Sequence, residues 1–499
     1  MIAIPEYLMP IILPALAVII LVIMGLSKKL ANSSKALGLT LVVFFTLTLT
    51  SAIRTYLYYT RYGEILTYWL TEKSTSAACL EIDLFSVVMI TLFTMVGLIV
   101  AIYSIDYMEG RPALLSYYVL LSLMVLALNG LAMAGDLFTF FVFYELIGVT
   151  AYSLVSYFKN YEAIEAAIKY IIMDATGSTL VLMGFAMIYG LTGTLNIAAS
   201  TLILSQMNST SKMLIMALLF SGFSFKAAIF PMHSWLIDAH PAAPSGISAM
   251  LSGVVIKSGL YAIIRTFIFF EPVRTHVYDY IVLIAILTMT IPNIIALVQT
   301  DIKRILAYSS IYNMGIVIAG ISIATPLGVT AGIFHAINHA LLKALMFMAA
   351  GVFVHATGKR QLEDLKGIGR SMPITSVFFG LGALALMGLP PLNAFYSKLL
   401  IAWAAIQLGG VTGTAIAALI LINSIISIGY YGKLIKYIIM EAPTSDKKYH
   451  EEPVMVIALA MLVAVVIMIS VNPNLVLTPV QNAVRDLFNP TDYINNVVS

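Results

Sequence analysis

His335, His339 and Lys343 follow one another at intervals of four, which on an α-helix puts all three on one face within about two turns. A His pair four apart is the geometry of helical zinc ligands. The residues between, Ala336, Ile337 and Asn338, contain no general-base Glu, and the next group on the face is a cation that repels a divalent ion. Polar packing between helices is a second reading. A relay of imidazoles leading to an amine suits the residue types better, because imidazole gains and loses a proton near neutrality and a lysine out of water releases its proton more readily.

Four more ionisable groups stand in apolar surroundings. Glu145 comes nine residues after Asp136, about 13 Å along a helix at 1.5 Å per residue, in a stretch from Leu137 to Tyr144 with no competing charge. Lys226 lies in Phe223-Ser-Phe-Lys-Ala-Ala-Ile-Phe-Pro231, Lys257 thirteen residues past Pro244, and Lys398 seven residues after the doublet Pro390-Pro391. At mid-bilayer such a group costs about 3 kcal/mol or more, so function is its default explanation. The plain alternatives are snorkelling, an interfacial position or a structural counter-ion. The prolines bear on this, because they break a membrane helix and leave backbone groups that only protein or trapped water can satisfy. A broken helix with an amine just past the break is a recurring transporter device. The segment from Pro231 to Pro244 is a second interruption; its His233, Asp238 and His240 resemble metal ligands by type, but hydrogen bonding to loop backbone or proton uptake fits them at least as well.

The elements that must hold these groups are membrane helices. Of 499 residues, 61% are hydrophobic and 10% charged, against about 25% charged in a soluble domain. Apolar segments near 5–26, 37–59, 82–104, 113–133, 137–157, 168–190, 213–232, 245–266, 277–299, 303–323, 326–354, 373–401, 411–435 and 453–471 predict an all-α membrane protein of about fourteen transmembrane helices. Period-two alternation is absent, which excludes a barrel. The first span is long and followed by Lys28 and Lys29, as in a retained helix rather than a signal peptide. The one cysteine, Cys79, excludes disulfide frameworks, thiolate metal sites and iron–sulfur ligation. No cofactor or metal and no redox or hydrolytic centre is expected here, so redox chemistry would sit on partner chains. A net charge of +3 gives no reason to expect nucleic acid.

Most of the 27 Lys and Arg fall in the odd-numbered loops, among them Lys28, Arg111, Lys159, Arg360 and Arg370. The positive-inside rule then places both termini outside the cell's inner (cytoplasmic) membrane and loops 355–372 and 436–452 in the cytoplasm. The organisation expected is an N-terminal three-helix segment (1–110), two inverted five-helix repeats (111–270 and 275–440), each with a late interrupted helix bearing a lysine, and a last helix with an amphipathic tail (441–499).

Three stretches carry a family resemblance. Phe223 to Ala249, with Lys226, Pro231, His233, Trp235, Asp238, Ala239, His240 and Pro244, is similar to a signature of the proton-conducting antiporter-like subunits of NADH:quinone oxidoreductase and of Mrp-type Na⁺/H⁺ antiporters. Gln299-Thr-Asp-Ile-Lys-Arg-Ile-Leu-Ala-Tyr-Ser-Ser310 and His335-Ala-Ile-Asn-His-Ala-Leu-Leu-Lys-Ala-Leu345 resemble two more. The resemblance implies that Glu145 and Lys226 form an ion pair, that Lys257 links it to a central axis, and that His335, His339 and Lys343 carry the axis to Lys398. His233, Asp238, His240, Asp136 and Lys303 join as candidates for proton uptake or coupling. Asn313 stands where many relatives have a histidine. Lys398 stands where one complex I branch has a glutamate, which leans toward Mrp-like branches. The implied function is an ion-translocating (H⁺ or Na⁺) subunit of a redox-driven complex of the archaeal membrane-bound hydrogenase or ferredoxin-oxidising kind. A subunit of a Mrp-type antiporter or of complex I is the alternative, and a membrane metalloenzyme a distant one. The implied partners are further antiporter-like and small multi-spanning subunits, peripheral redox subunits and the lipid bilayer.

Overall fold

The computed structural model describes residues 5–70, 74, 77–207, 209–267, 277–443, 448–489 and 497; the expected boundary between the two repeats, at 270–275, lies outside them. In chain order the helices are α1 (Met9–Met24), α2 (Lys28–Ala31), α3 (Ser34–Tyr62), α4 (Leu84–Tyr107), α5 (Leu114–Ala132), α6 (Leu137–Val155), α7 (Tyr161–Thr192), α8 (Ile197–Ser205), α9 (Ser209–Lys226) and α10 (Ser234–Ala242). There follow α11 (Ser245–Met250), α12 (Ile256–Phe267), α13 (Val277–Val298), α14 (Ile302–Ser322), α15 (Pro326–Thr357), α16 (Pro373–Met387), α17 (Asn393–Leu408), α18 (Gly410–Ile435), α19 (Pro453–Val471) and α20 (Asn474–Leu487). A π-helical turn, Leu251–Val255, joins α11 to α12.

Among the described residues, 12 helices are long and apolar enough to cross a membrane, or 13 if Leu362–Arg370 and the sharply bent Pro373–Met387 count as one span. The two expected spans that do not appear as single long apolar helices are 213–232 and 373–401, the ones interrupted by proline. The first becomes α9, a break and α10; the second becomes α16, a break and α17.

Polar caps set the boundaries of the helices that matter most. Asp136 accepts from Thr139 N at the head of α6, and Asp301 from Lys303 N and Arg304 N at the head of α14. Asn160 caps α7 and Thr325 caps α15; both helices run 32 residues and end on a glycine at positive φ, Gly193 and Gly358. These features repeat in register. Adding 165 to the ends of α7 gives the ends of α15, and adding 165 to the bridge Asp136–Asn196 gives the bridge Asp301–Gln361. The two copies are inverted. Arg360 at the foot of α14 and α15 binds Glu162 at the foot of α7 (3.0 and 3.1 Å) and Asp301 (3.4 Å), so the head of α14 lies at the same end of the protein as the tail of α6. The α6–α7 pair thus recurs in inverted orientation as α14–α15.

Burial is graded from outside to centre. α3, α18 and α19 expose leucines, isoleucines and valines outward, as a lipid-facing surface does, whereas Ser245–Thr266 is wholly enclosed and α15 is buried from Gly328 to Phe353. The basic stripe of α15 therefore faces protein.

Two features sharpen the sequence reading. An antiparallel hairpin, β1 (Leu66–Trp69) on β2 (Cys79–Ile82), packs under the head of α6, where Cys79 N donates to Asp136 Oδ2 at 2.9 Å. Strands of four residues are too short to leave a clear alternation. Burial, with Glu81 and Asp136 nearby, pushes the Cys79 thiol up to about 12. Since the thiolate is the nucleophile, only on the order of 10⁻⁴ of it is reactive at pH 8. Iodoacetamide is thus expected to leave Cys79 unlabelled in the folded protein and to label it after denaturation; rapid native labelling would contradict this burial. The expected amphipathic tail is α20, with Val480, Ala483 and Val484 buried against the protein and Arg485 outside.

Candidate functional site

α9 stops at Lys226 because Ala228 turns to positive φ (54°) and Pro231 has no N–H to continue the ladder. The groups this frees find side chains: Phe225 O accepts from the Trp235 indole (2.8 Å), and Phe230 N donates to Thr288 Oγ1 (3.2 Å). Lys226 Nζ, fully buried, donates to Tyr144 O at 2.7 Å and stands 3.9 Å from the Tyr144 ring centre. Its carboxylate is Asp174, whose Oδ1 lies 3.2 Å away, near enough for an ion pair though not aligned as a hydrogen bond. Gly148 makes room for the pair, since a Cβ there would come 1.9 Å from Asp174 Oδ2. Gly148→Ala is expected to cost about 1–3 kcal/mol of stability by overpacking, read as a lower thermal midpoint. Gly190→Ala on α7, where nothing lies within 4 Å, is the control expected to stay level.

The expected Glu145–Lys226 pair is not formed. Glu145 is half-buried, on the same side of α6 as the exposed Phe138, Val142 and Val149, and its Oε1 has no hydrogen-bond partner. It is the carbonyl of Tyr144, one residue earlier, that turns inward to the amine. Asp174, a carboxylate inside the apolar span 168–190, carries the same sequence signal as Glu145.

Lys257 lies within the central, fully enclosed span. α12 reaches the end of α9 so closely that a Cβ at Gly259 would be 2.5 Å from Ala227 N, beside Lys226. Lys257 Nζ donates to Ser252 O (2.6 Å), in the π turn, and to His339 Nδ1 (2.6 Å). His335 follows on α15, the two ring centres 6.4 Å apart. Its Nδ1 meets Ser397 Oγ at 2.8 Å and its Nε2 meets Asn313 Oδ1 at 3.2 Å, the amide being oriented by its own donation to Ser309 O (2.7 Å). Lys343, at the other end of the stripe, donates to Leu306 O (2.9 Å) and to Ser309 Oγ.

Lys398 sits over the second break. α16 ends in Gly388 at φ 87°, and Lys398 Nζ donates to the carbonyls that the break frees, Leu386 O (2.9 Å) and Met387 O (3.4 Å), and to Tyr312 OH (3.3 Å). The negative end of a helix dipole suits a cation there. Any side chain at Gly388 would crowd the lysine, whose Nζ would be 3.3 Å from an added Cβ.

The five candidates for uptake or coupling scatter. His240 is fully buried, flat against Phe347 (ring centres 4.2 Å apart), with no hydrogen bond at either ring nitrogen. Lys303 donates to Ala243 O (2.8 Å) and borders a cavity of about 290 Å³ also lined by Pro241, Ala242, Arg111, Glu162 and Arg360. These two therefore flank one short segment between the cavity and the core. Asp238 belongs to a half-exposed ion-pair group with Lys169 (2.8 Å) and Arg304 (3.3 Å). His233 lies in the first break, beside Phe230. Asp136 caps α6 at the opposite end of the protein and has no part in this cluster.

Residues 134–427 match the family described as NADH:quinone oxidoreductase/Mrp antiporter, TM, and residues 69–118 match the complex I chain 5 N-terminus. The chain is 32% identical over 400 residues to F(420)H(2) dehydrogenase subunit N of Methanosarcina mazei, covering 77% of this chain and 80% of that one. Among solved structures it resembles a chain of the archaeal membrane-bound sulfane sulfur reductase, a respiratory membrane complex (TM-score 0.91, 31% identity, 99% of both chains). It also resembles a chain of the Mrp complex from Dietzia sp. (TM-score 0.89, 25% identity, 99% of both chains). With over half its length matched, an inverted repeat and a row of enclosed amines and imidazoles, the chain belongs to the NADH:quinone oxidoreductase/Mrp antiporter family of membrane subunits.

Proposed function

We propose that the chain serves H⁺ or Na⁺ transport across the cytoplasmic membrane within a multi-subunit complex, passing protons along Lys226, Lys257, His339, His335 and Lys398, with Lys343 on a side branch of the same axis. The observation that carries this is that all six side chains are enclosed by protein, none more than 6% exposed. A buried amine without a task is a cost that a membrane protein sheds. Asp174 stands 3.2 Å from Lys226; loosening that pair lets a proton pass from the amine toward Lys257, so local charge drives transfer without large helix movements. His240 and Lys303 serve as the uptake side, His233 and Asp238 as its margin, and Glu145 faces a neighbouring subunit. Residues 111–270 and 275–440 act as the two half-channels, framed by 1–110 and 441–499. Both termini lie outside, consistent with the cationic loops around Arg360 and Lys433.

The likeness to an archaeal respiratory subunit over 99% of the chain favours a redox-driven host complex. The Mrp likeness supports an antiporter assembly as the second reading. The test is to purify the complex through a tag on this chain, reconstitute it in vesicles, and follow internal pH and sodium during turnover. One of the two ions should accumulate with turnover; turnover with neither ion moving rejects the reading.

A further inference from the structure

Helix α4 packs against both α3 and α19, and of its residues only Val88, Thr91, Met95, Ile102 and Asp106 are not buried. Their spacing puts them in one stripe along one helix face. At one end of the stripe α19 closes on it, Val454 N donating to Asp106 Oδ2 at 3.0 Å. Toward the other end the helices part around a cavity of about 350 Å³, onto which Val88, Thr91 and Met95 open. Ile53 of α3 and Met468 of α19, 45% and 53% exposed, form its rim, and Val476 and Pro479 of α20 roof it. α20 is itself tied to α3, Tyr59 OH donating to Asp486 Oδ2 at 2.9 Å. Hydrogen bonds at both ends thus fix the frame.

The floor of the cavity is α15, at Ile337 and Leu341. Each lies two residues from His339, about 200° around the helix, so the cavity stands behind the basic stripe. Water does not suit it. The lining is apolar apart from Tyr56 and Thr91, and Thr91 Oγ1 is already bonded to Val87 O (2.8 Å), whereas internal water needs two or more polar partners. A helix does not fit either: over the length from Val88 to Met95, about 10 Å, the cavity is a slot about 6–7 Å wide, against about 10–12 Å for a helix with its side chains. Its mouth lies among the outward-facing leucines, isoleucines and valines of α3 and α19, where the bilayer is.

We propose that the slot seats one hydrocarbon chain of a membrane lipid, which enters between α3 and α19 and braces the back of α15. Moving a lipid chain out of the bilayer into a dry aliphatic slot exchanges one apolar surrounding for another, and the walls gain contacts that a void would deny them. The site is independent of which residues carry the ion.

The test is photolabelling of the purified complex in phosphatidylcholine vesicles doped with a lipid that carries a diazirine midway along one chain, followed by mass spectrometry of the peptides. Label is expected at Ile337–Leu341, in a stretch of α15 buried on all sides and so beyond the reach of surrounding lipid, as well as at Ile425 of α18, which is 69% exposed to it. The double variant Thr91→Phe with Val465→Phe fills the slot; the α15 label should then fall to background while the α18 label stays. Label on α18 without label on α15, or α15 label that survives the filling, overturns the site. A high-resolution structure of the parent complex decides whether or not the variant assembles: elongated density against Ile337 and Leu341 supports the lipid, whereas a side chain of a neighbouring subunit, ordered water or an empty slot overturns it.

Discussion

Asp174→Ala and Lys226→Ala should each abolish ion uptake by vesicles and each lower the protein's stability, whereas the double variant should recover stability and remain inactive. The two groups are 3.2 Å apart and nearly inaccessible. Removing one partner of such a pair leaves an uncompensated buried charge, at about 3–5 kcal/mol. Removing both relieves that penalty, so the stability losses are strongly non-additive, while transport still lacks its amine. Glu145→Gln is the control: its carboxylate is outside the pair, and the thermal midpoint of the isolated chain should not move. Additive losses for Asp174 and Lys226, or a midpoint that falls with Glu145→Gln, would show that the pair is drawn with the wrong acid.

The second large effect is expected at the junction between halves. When Lys257 is an ammonium it only donates, so His339 Nδ1 then accepts from it at 2.6 Å and the ring's own proton is on Nε2, which has no hydrogen-bond partner among the described residues. A proton arriving from Lys257 at Nδ1 can leave from Nε2, which makes His339 a two-sided carrier. His339→Leu preserves bulk and removes both nitrogens; the loss should be about a hundredfold, in the range for a proton-transfer group, with assembly intact. Uptake within twofold of the parent, at about 0.4 kcal/mol of barrier, would mean that the two halves communicate by another route. His335 is a turn away on α15, and its two ring nitrogens are engaged by Ser397 and Asn313.

What the amino-acid sequence revealed, and what it hid, divides along a physical line. Depth along a helix is readable, because proline and capping residues mark where spans start and break: Pro231 and Pro390 located the interruptions, and counting from Asp136 or Pro244 placed Glu145 and Lys257 well inside the membrane. Direction around a helix is not readable in the same way. A soluble helix has an apolar face that announces the core, but a membrane helix is apolar all round, so nothing in Phe138, Val142 or Val149 told that Glu145 shares their outward side. The stripe on α15 escaped this limit because three basic groups at intervals of four must turn inward together. Tyr312 and Ser397, which help hold the axis together, carry no charge to draw attention.

Each of the four amines rests on a main-chain oxygen: Lys226 on Tyr144, Lys257 on Ser252, Lys343 on Leu306 and Lys398 on Leu386. Those moorings do not depend on which side chain the residue bears, so no ordinary substitution at Tyr144, Ser252, Leu306 or Leu386 deletes them. Point variants can therefore empty a station or change its occupant, but relocating it requires re-routing the chain, and a redesign that swaps every side chain along the axis would inherit the same four berths.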